Sequence, residues 1–202
     1  MNIFSTDIDP IISALNLDDL RCNKMIIESA ALLANAIAFH GGQEKDLPIA
    51  KTSGMPFKTK AWQNHPSCLW VKESRQNYEW LYAHMCALIN EIKFRKNTIH
   101  SMTSNLVILN DGAQFIPTKS QTGFANCTPY KNIEDTILAY KMTLVYKWEH
   151  DGVLPKWTKR NKPDWYNEDL LITTKNTNGE FPWTGLRQVR SQRTNGWLTN
   201  EI

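Results

Sequence analysis

Residues 25–39, Met-Ile-Ile-Glu-Ser-Ala-Ala-Leu-Leu-Ala-Asn-Ala-Ile-Ala-Phe, limit the fold more than any other part of the chain. Glu28 is the sole charged side chain among them. An α-helix apolar on nearly every side is stable in water only when other elements cover it. Asp18-Asp19 supplies a start signal and Gly41-Gly42 a stop, so the spacing predicts a central helix from about Asp19 to Phe39. Glu28 is then carried toward a low-dielectric pocket. Arg21 and Lys24 precede it by seven and four residues on the same face, with Asn35 two turns further on. Burial favours the protonated carboxyl and neighbouring cations favour the charged one, a balance by which proteins tune acid–base groups. The competing reading is an exposed Lys24–Glu28 pair contributing a few tenths of a kcal/mol.

The rest of the chain fits a mainly α, single-domain helical bundle with long irregular connections. Asp9-Pro10 opens a short helix reaching Leu15, after an extended start at Ile3-Phe4. Residues 41–66 carry Gly, Pro, Lys and Thr without periodicity and read as a loop. A long helix is expected from about Ser67 to Phe94, with Tyr78, Leu81, Tyr82, Met85, Leu88, Ile89 and Ile92 on one face. Residues 98–110 read equally as helix or extended chain, and Gly112–Pro129 as a second connection. A further amphipathic helix spans Asn132–Trp148, with Ile133, Ile137, Tyr140, Leu144 and Trp148 near one face. Residues 1–150 thus form a helical core. Residues 151–202 are an irregular, Trp/Lys/Arg-rich segment broken by Pro155, Pro163 and Pro182.

Composition removes several function classes. The net charge of +3 is too small to indicate nucleic acid by itself. The four cysteines, Cys22, Cys68, Cys86 and Cys127, are widely spaced, which argues against structural zinc and a disulfide framework and for a reducing cytoplasm. The sequence shows no signal peptide and no apolar run of the ~18 residues a bilayer requires, so no membrane association is expected. No phosphate loop, His-Glu-x-x-His or nucleophile elbow is present, and no metal or cofactor is expected.

Two further constellations carry chemistry. Asn64-His65-Pro66 precedes the long helix: Pro66 suits its first turn, and His65 is free to act in proton transfer or hydrogen bonding. Along that helix Asn77, Trp80 and His84 share a face near Arg75 and Glu73, as a nucleotide-binding wall or as a helix–helix interface. Near the C-terminus, residues 155–166 interleave Lys156, Lys159, Arg160 and Lys162 with Trp157, Trp165 and Tyr166, and Arg187, Arg190 and Arg193 extend the basic character. Cations follow phosphates and aromatics accept unstacked bases. The alternative is aromatics sealing the core with solvated lysines.

Much of the chain resembles a group of small phage-encoded proteins, through Asn2-Ile3-Phe4, Lys24-Met25 with Glu28, Asn64-His65-Pro66 with Trp70, Glu73-Ser74, Asn77-Tyr78-Glu79-Trp80-Leu81, Cys127-Thr128-Pro129-Tyr130 and Pro155-Lys156-Trp157-Thr158-Lys159-Arg160. That resemblance implies a phage setting. Leu17–Ser29 is similar to the opening helix of the phage-type pyrimidine-dimer DNA glycosylases, the endonuclease V family, in which an aspartate precedes the catalytic glutamate by nine positions. Asp19 and Glu28 have that spacing here. The resemblance implies an all-helical, metal-free enzyme that flips a base. In that family the N-terminal amine attacks sugar C1′ and forms a Schiff base, the strand is cleaved by elimination, and the glutamate stabilises the cationic intermediate. Two departures stand out: Ile27 replaces an arginine, and Asn2 is a poor substrate for methionine trimming.

The resulting expectation is a phage-encoded, cytoplasmic protein acting on DNA bases, with DNA or a nucleotide as partner and the oligomeric state open. Glu28, Lys24, Arg21 and His65 are its candidate catalytic group. Asn64, Arg75, Asn77, Trp80, His84, Trp157, Lys159 and Arg160 are its candidate DNA contacts. The nucleophile is the N-terminal amine or a buried Lys24. The alternatives are a transferase modifying a hypermodified base and a non-enzymatic nucleotide binder, including a ligand sponge directed against host defence.

Overall fold

A computed structural model describes residues 2–167 and Leu170. Among these the architecture is six α-helices without strands: α1 (Pro10–Leu15), α2 (Asp19–Phe39), α3 (Pro66–Glu73), α4 (Arg75–Lys96), α5 (Leu106–Asp111) and α6 (Thr136–His150). The mainly α, single-domain expectation holds. The basic residues Arg187, Arg190 and Arg193 lie outside the described residues.

α2 is the central element, packing on α4 and α3, while α1 lies against α4. It is also the one described helix long and apolar enough to cross a membrane, although no such run was expected; 61% of its apolar window is buried within the protein. Neighbouring helices cover that surface, as the charge-poor composition requires. Cys22, Met25, Ile26, Ala30, Leu33 and Ile37 of α2 join Tyr78, Leu81, Met85 and Leu88 of α4 in one core. Gly112 lets α5 reach this pair. A Cβ there would sit 2.4 Å from Ile37 Cδ1 and 2.6 Å from the Tyr78 hydroxyl.

The expected single helix over Ser67–Phe94 is two helices. Ser74 adopts an extended conformation (φ −148°, ψ 151°), and its Oγ accepts the Asn77 N–H at 3.0 Å, capping α4. A serine between Glu73 and Arg75 carries no strong break signal, because serine is tolerated inside helices and favoured at caps alike. Residues 101–105 form a 3₁₀ turn leading into α5. α6 begins later than expected because Asp135 caps it, its carboxylate accepting the N–H groups of Ile137 and Leu138.

The loop between α2 and α3 is anchored at its base. Asn105 pairs with both backbone groups of Ile49, at 2.7 and 3.1 Å. Ala50 N–H donates to the Met55 carbonyl and Phe57 N–H to the Pro48 carbonyl, around a left-handed Gly54. All four cysteines are free.

Candidate functional site

Halfway along α2, Glu28 meets the start of the chain. The Asn2 backbone N–H donates to Glu28 Oε2 at 2.9 Å. The Asn2 side chain folds back to accept the Phe4 N–H at 3.0 Å, and Phe4 sits at φ +46°. Ile3 and Phe4 are buried, Phe4 edge-on to Tyr140 of α6. Two buried apolar side chains and an Asx turn therefore hold the chain start against the carboxylate. On its other side, Lys24 Nζ lies 3.6 Å from Glu28 Oε1. The Glu28 side chain is 19% exposed and that of Lys24 67%. The carboxylate is half-buried between two nitrogens, and the lysine is solvated rather than buried.

His65 stands at the N-cap of α3, where its Nδ1 accepts the Ser67 N–H at 3.2 Å. Accepting at Nδ1 leaves the proton on Nε2 of a neutral ring. Burial holds this imidazole below its ordinary value, while the nearby Glu28 charge pulls the other way. His65 thus presents an N–H donor within electrostatic reach of Glu28. Asn64 beside it is exposed. Behind His65, Ser67 Oγ contacts Cys127 Sγ at 3.1 Å, and Tyr140 fixes that connection by donating to the Ala125 carbonyl at 2.7 Å.

Arg21 is engaged elsewhere: Asp18 lies 3.1 Å away and Asp151 is its second ion-pair partner. Of the two readings of Asn77, Trp80 and His84, a nucleotide-binding wall or a helix–helix interface, their burial favours the second. Asn77 donates to the Trp70 carbonyl and to Thr122 Oγ1, and accepts the Thr122 N–H. Trp80 donates to the Ile8 carbonyl at 2.7 Å and stacks on His84. His84 Nδ1 bonds the Pro10 carbonyl at 2.9 Å, leaving Nε2 buried without a partner. Arg75 donates to the Ile116 carbonyl and lines an open groove of about 340 Å³ with Lys119. Neither of the two described grooves contains Glu28.

Trp157, Lys159 and Arg160, expected to grip a DNA backbone, each have a partner within the fold, with Lys159 and Arg160 exposed. Trp157 Nε1 donates to the Asn16 carbonyl at 3.1 Å, and Lys159 Nζ to the Phe94 carbonyl at 2.9 Å. Arg160 pairs with Glu91 through two bonds, 2.7 and 3.1 Å. Asp19, nine positions before Glu28, accepts from Thr158 and Arg95. Burial pushes the Asp19 carboxyl up, but these donors more than offset it and hold it below the usual carboxylate range. Asp19 therefore ties the C-terminal segment to the base of α2, about 13 Å along the axis from Glu28. Among the described residues no cluster of His, Cys, Asp or Glu could hold a metal ion.

What fold and site define, among the described residues, is a helical protein whose half-buried glutamate accepts the backbone N–H of Asn2. The profile of the pyrimidine dimer DNA glycosylase family matches residues 1–105. That span contains α1–α4, Asn2 and Glu28 and is just over half of the 202 residues, and the chain belongs to this family. No curated protein and no solved structure matches the chain.

Proposed function

We propose that the protein removes pyrimidine dimers from DNA as a glycosylase with strand-cleaving activity, using an amine at the chain start and Glu28. The observation that carries this reading is the 2.9 Å bond from the Asn2 nitrogen to Glu28. Removal of Met1 would make that nitrogen the α-amino group; with Met1 retained, the amine belongs to the preceding residue. The amine lone pair forms a bond to C1′ while the glycosidic bond breaks toward the base, and the opened sugar becomes a protonated imine. Loss of a C2′ proton then expels the 3′ phosphate by elimination, and water hydrolyses the imine to free the amine. Glu28 stabilises the iminium charge and relays protons, as a carboxylate between two nitrogens is placed to do. The neutral His65 N–H is suited to hydrogen-bonding the departing base or a flanking phosphate.

Lys24 is the second amine at Glu28, but its solvation removes the burial that would make it a nucleophile. The sequence resemblance to phage-encoded proteins supports a phage setting for this repair activity. Borohydride trapping on duplexes bearing a pyrimidine dimer or an abasic site tests the mechanism. Wild type is expected to form a covalent adduct that Lys24→Ala retains. Glu28→Gln is expected to lower cleavage about 10²–10⁴-fold while still binding the duplex. Absence of an adduct together with full activity of Glu28→Gln would remove the lyase mechanism.

A further inference from the structure

The loop leading to His65 holds a residue that neither the core nor the amine–carboxylate pair uses. Trp62 is 59% exposed and sits at φ +66°, a left-handed conformation that is costly for a side chain with a Cβ. The conformation is held from both sides. The Trp62 carbonyl accepts the His65 N–H at 2.9 Å, and the neighbouring Gln63 carbonyl accepts from the buried Lys72 Nζ at 3.1 Å. The indole lies edge-on to the His65 ring, centroids 6.2 Å apart. An exposed tryptophan in a constrained backbone, beside the histidine nearest Glu28, is a preformed stacking surface.

Its electrostatic surroundings point the same way. From residue 47 to residue 72 the chain contains no Asp or Glu, and it includes the exposed Lys51, Lys58 and Lys60. Exposed lysines flanking an exposed aromatic, on a loop anchored through Ile49, match the chemistry that follows a phosphate backbone and receives an unstacked base. We infer that the loop of residues 51–64 is the DNA-contacting arm of this protein, with Trp62 stacking on the nucleobase left unpaired at the lesion and Lys58 and Lys60 meeting the adjacent phosphates. This rests on the DNA-repair reading above and adds to it a positioning residue and an interface. This loop is a separate stretch of the chain from the Trp157–Arg160 segment, whose side chains bond Asn16, Phe94 and Glu91.

The test uses the full chain and a duplex carrying a tetrahydrofuran abasic analogue, compared with the same duplex undamaged, over a salt series. Trp62→Ala is expected to lower the lesion-to-undamaged affinity ratio about ten-fold or more, leaving the salt slope unchanged, and Trp62→Phe to restore most of the ratio. Lys58→Ala and Lys60→Ala are each expected to reduce the salt slope by about one unit and to leave the ratio intact. 2-Aminopurine placed opposite the analogue, or on its 5′ side, identifies the stacked base by Trp62-dependent quenching. A wild type that traps on abasic DNA, with Trp62→Ala keeping the full ratio and the quenching, overturns the Trp62 assignment alone. A wild type that neither traps nor discriminates overturns the DNA-repair reading, and this inference with it.

Discussion

His84 shows how one buried side chain couples this fold to pH. Its ring is fully enclosed, donates from Nδ1 to the Pro10 carbonyl, and leaves a bare Nε2 inside the protein. Burial lowers its pKa from 6.5 to about 4, against the opposing pull of the Pro10 bond. Between those values the unfolded chain binds a proton that the folded one does not, so stability falls as pH drops below about 6.5 and levels off near 4. The loss attributable to this residue is on the order of 3 kcal/mol. Thermal melting at pH 7, 6, 5 and 4 should show the decline in wild type and a flatter one in His84→Asn, whose amide can replace the Nδ1 donor. Equal slopes in the two proteins would assign the acid sensitivity to other groups.

Among the elements, α2 was legible from its residues: fifteen positions with one charge can only be an interior helix, and its ends carry cap and stop signals. The division between α3 and α4 was not. Ser74 acts as a cap only because Asn77 and Trp70 need the chain to turn there, and those contacts are tertiary. Ser74→Ala is expected to cost about 1–2 kcal/mol, measured by denaturant unfolding, with an unchanged m-value showing that the fold survives. A cost near zero would mean that packing alone sets the break. The site was partly legible for the same reason. Glu28, Lys24 and His65 could be placed from helix spacing and from the Pro66 signal. Arg21, on the same face, was claimed by Asp18 and by Asp151, 130 residues distant in sequence.

At the scale of the whole molecule, the C-terminal basic and aromatic segment illustrates what residue types leave unsaid. Trp157, Lys159 and Arg160 have the chemistry of a DNA grip, yet their partners Asn16, Phe94 and Glu91 are already in place across the fold. The segment closes the molecule by joining the base of α2 to the end of α4 through Asp19, Glu91 and Arg95. Arg160→Ala, at a partly exposed pair that retains Arg95 on Glu91, is expected to cost about 1 kcal/mol, or ~2–4 °C in Tm. Lesion-duplex affinity should change little. A large loss of DNA affinity with unaltered melting would return this segment to the interface.

The hook that seats Asn2 on Glu28 also sets a rule for handling the protein. The Asn2 N–H is bonded to the very carboxylate that the proposed chemistry requires. A purification tag fused ahead of Met1 would therefore both abolish a free amine at that position and crowd the approach of substrate. A fusion of the same tag at the other end serves as the comparison. Side-by-side assays of the two fusions, with the front tag then cleaved off, should show activity returning on its release.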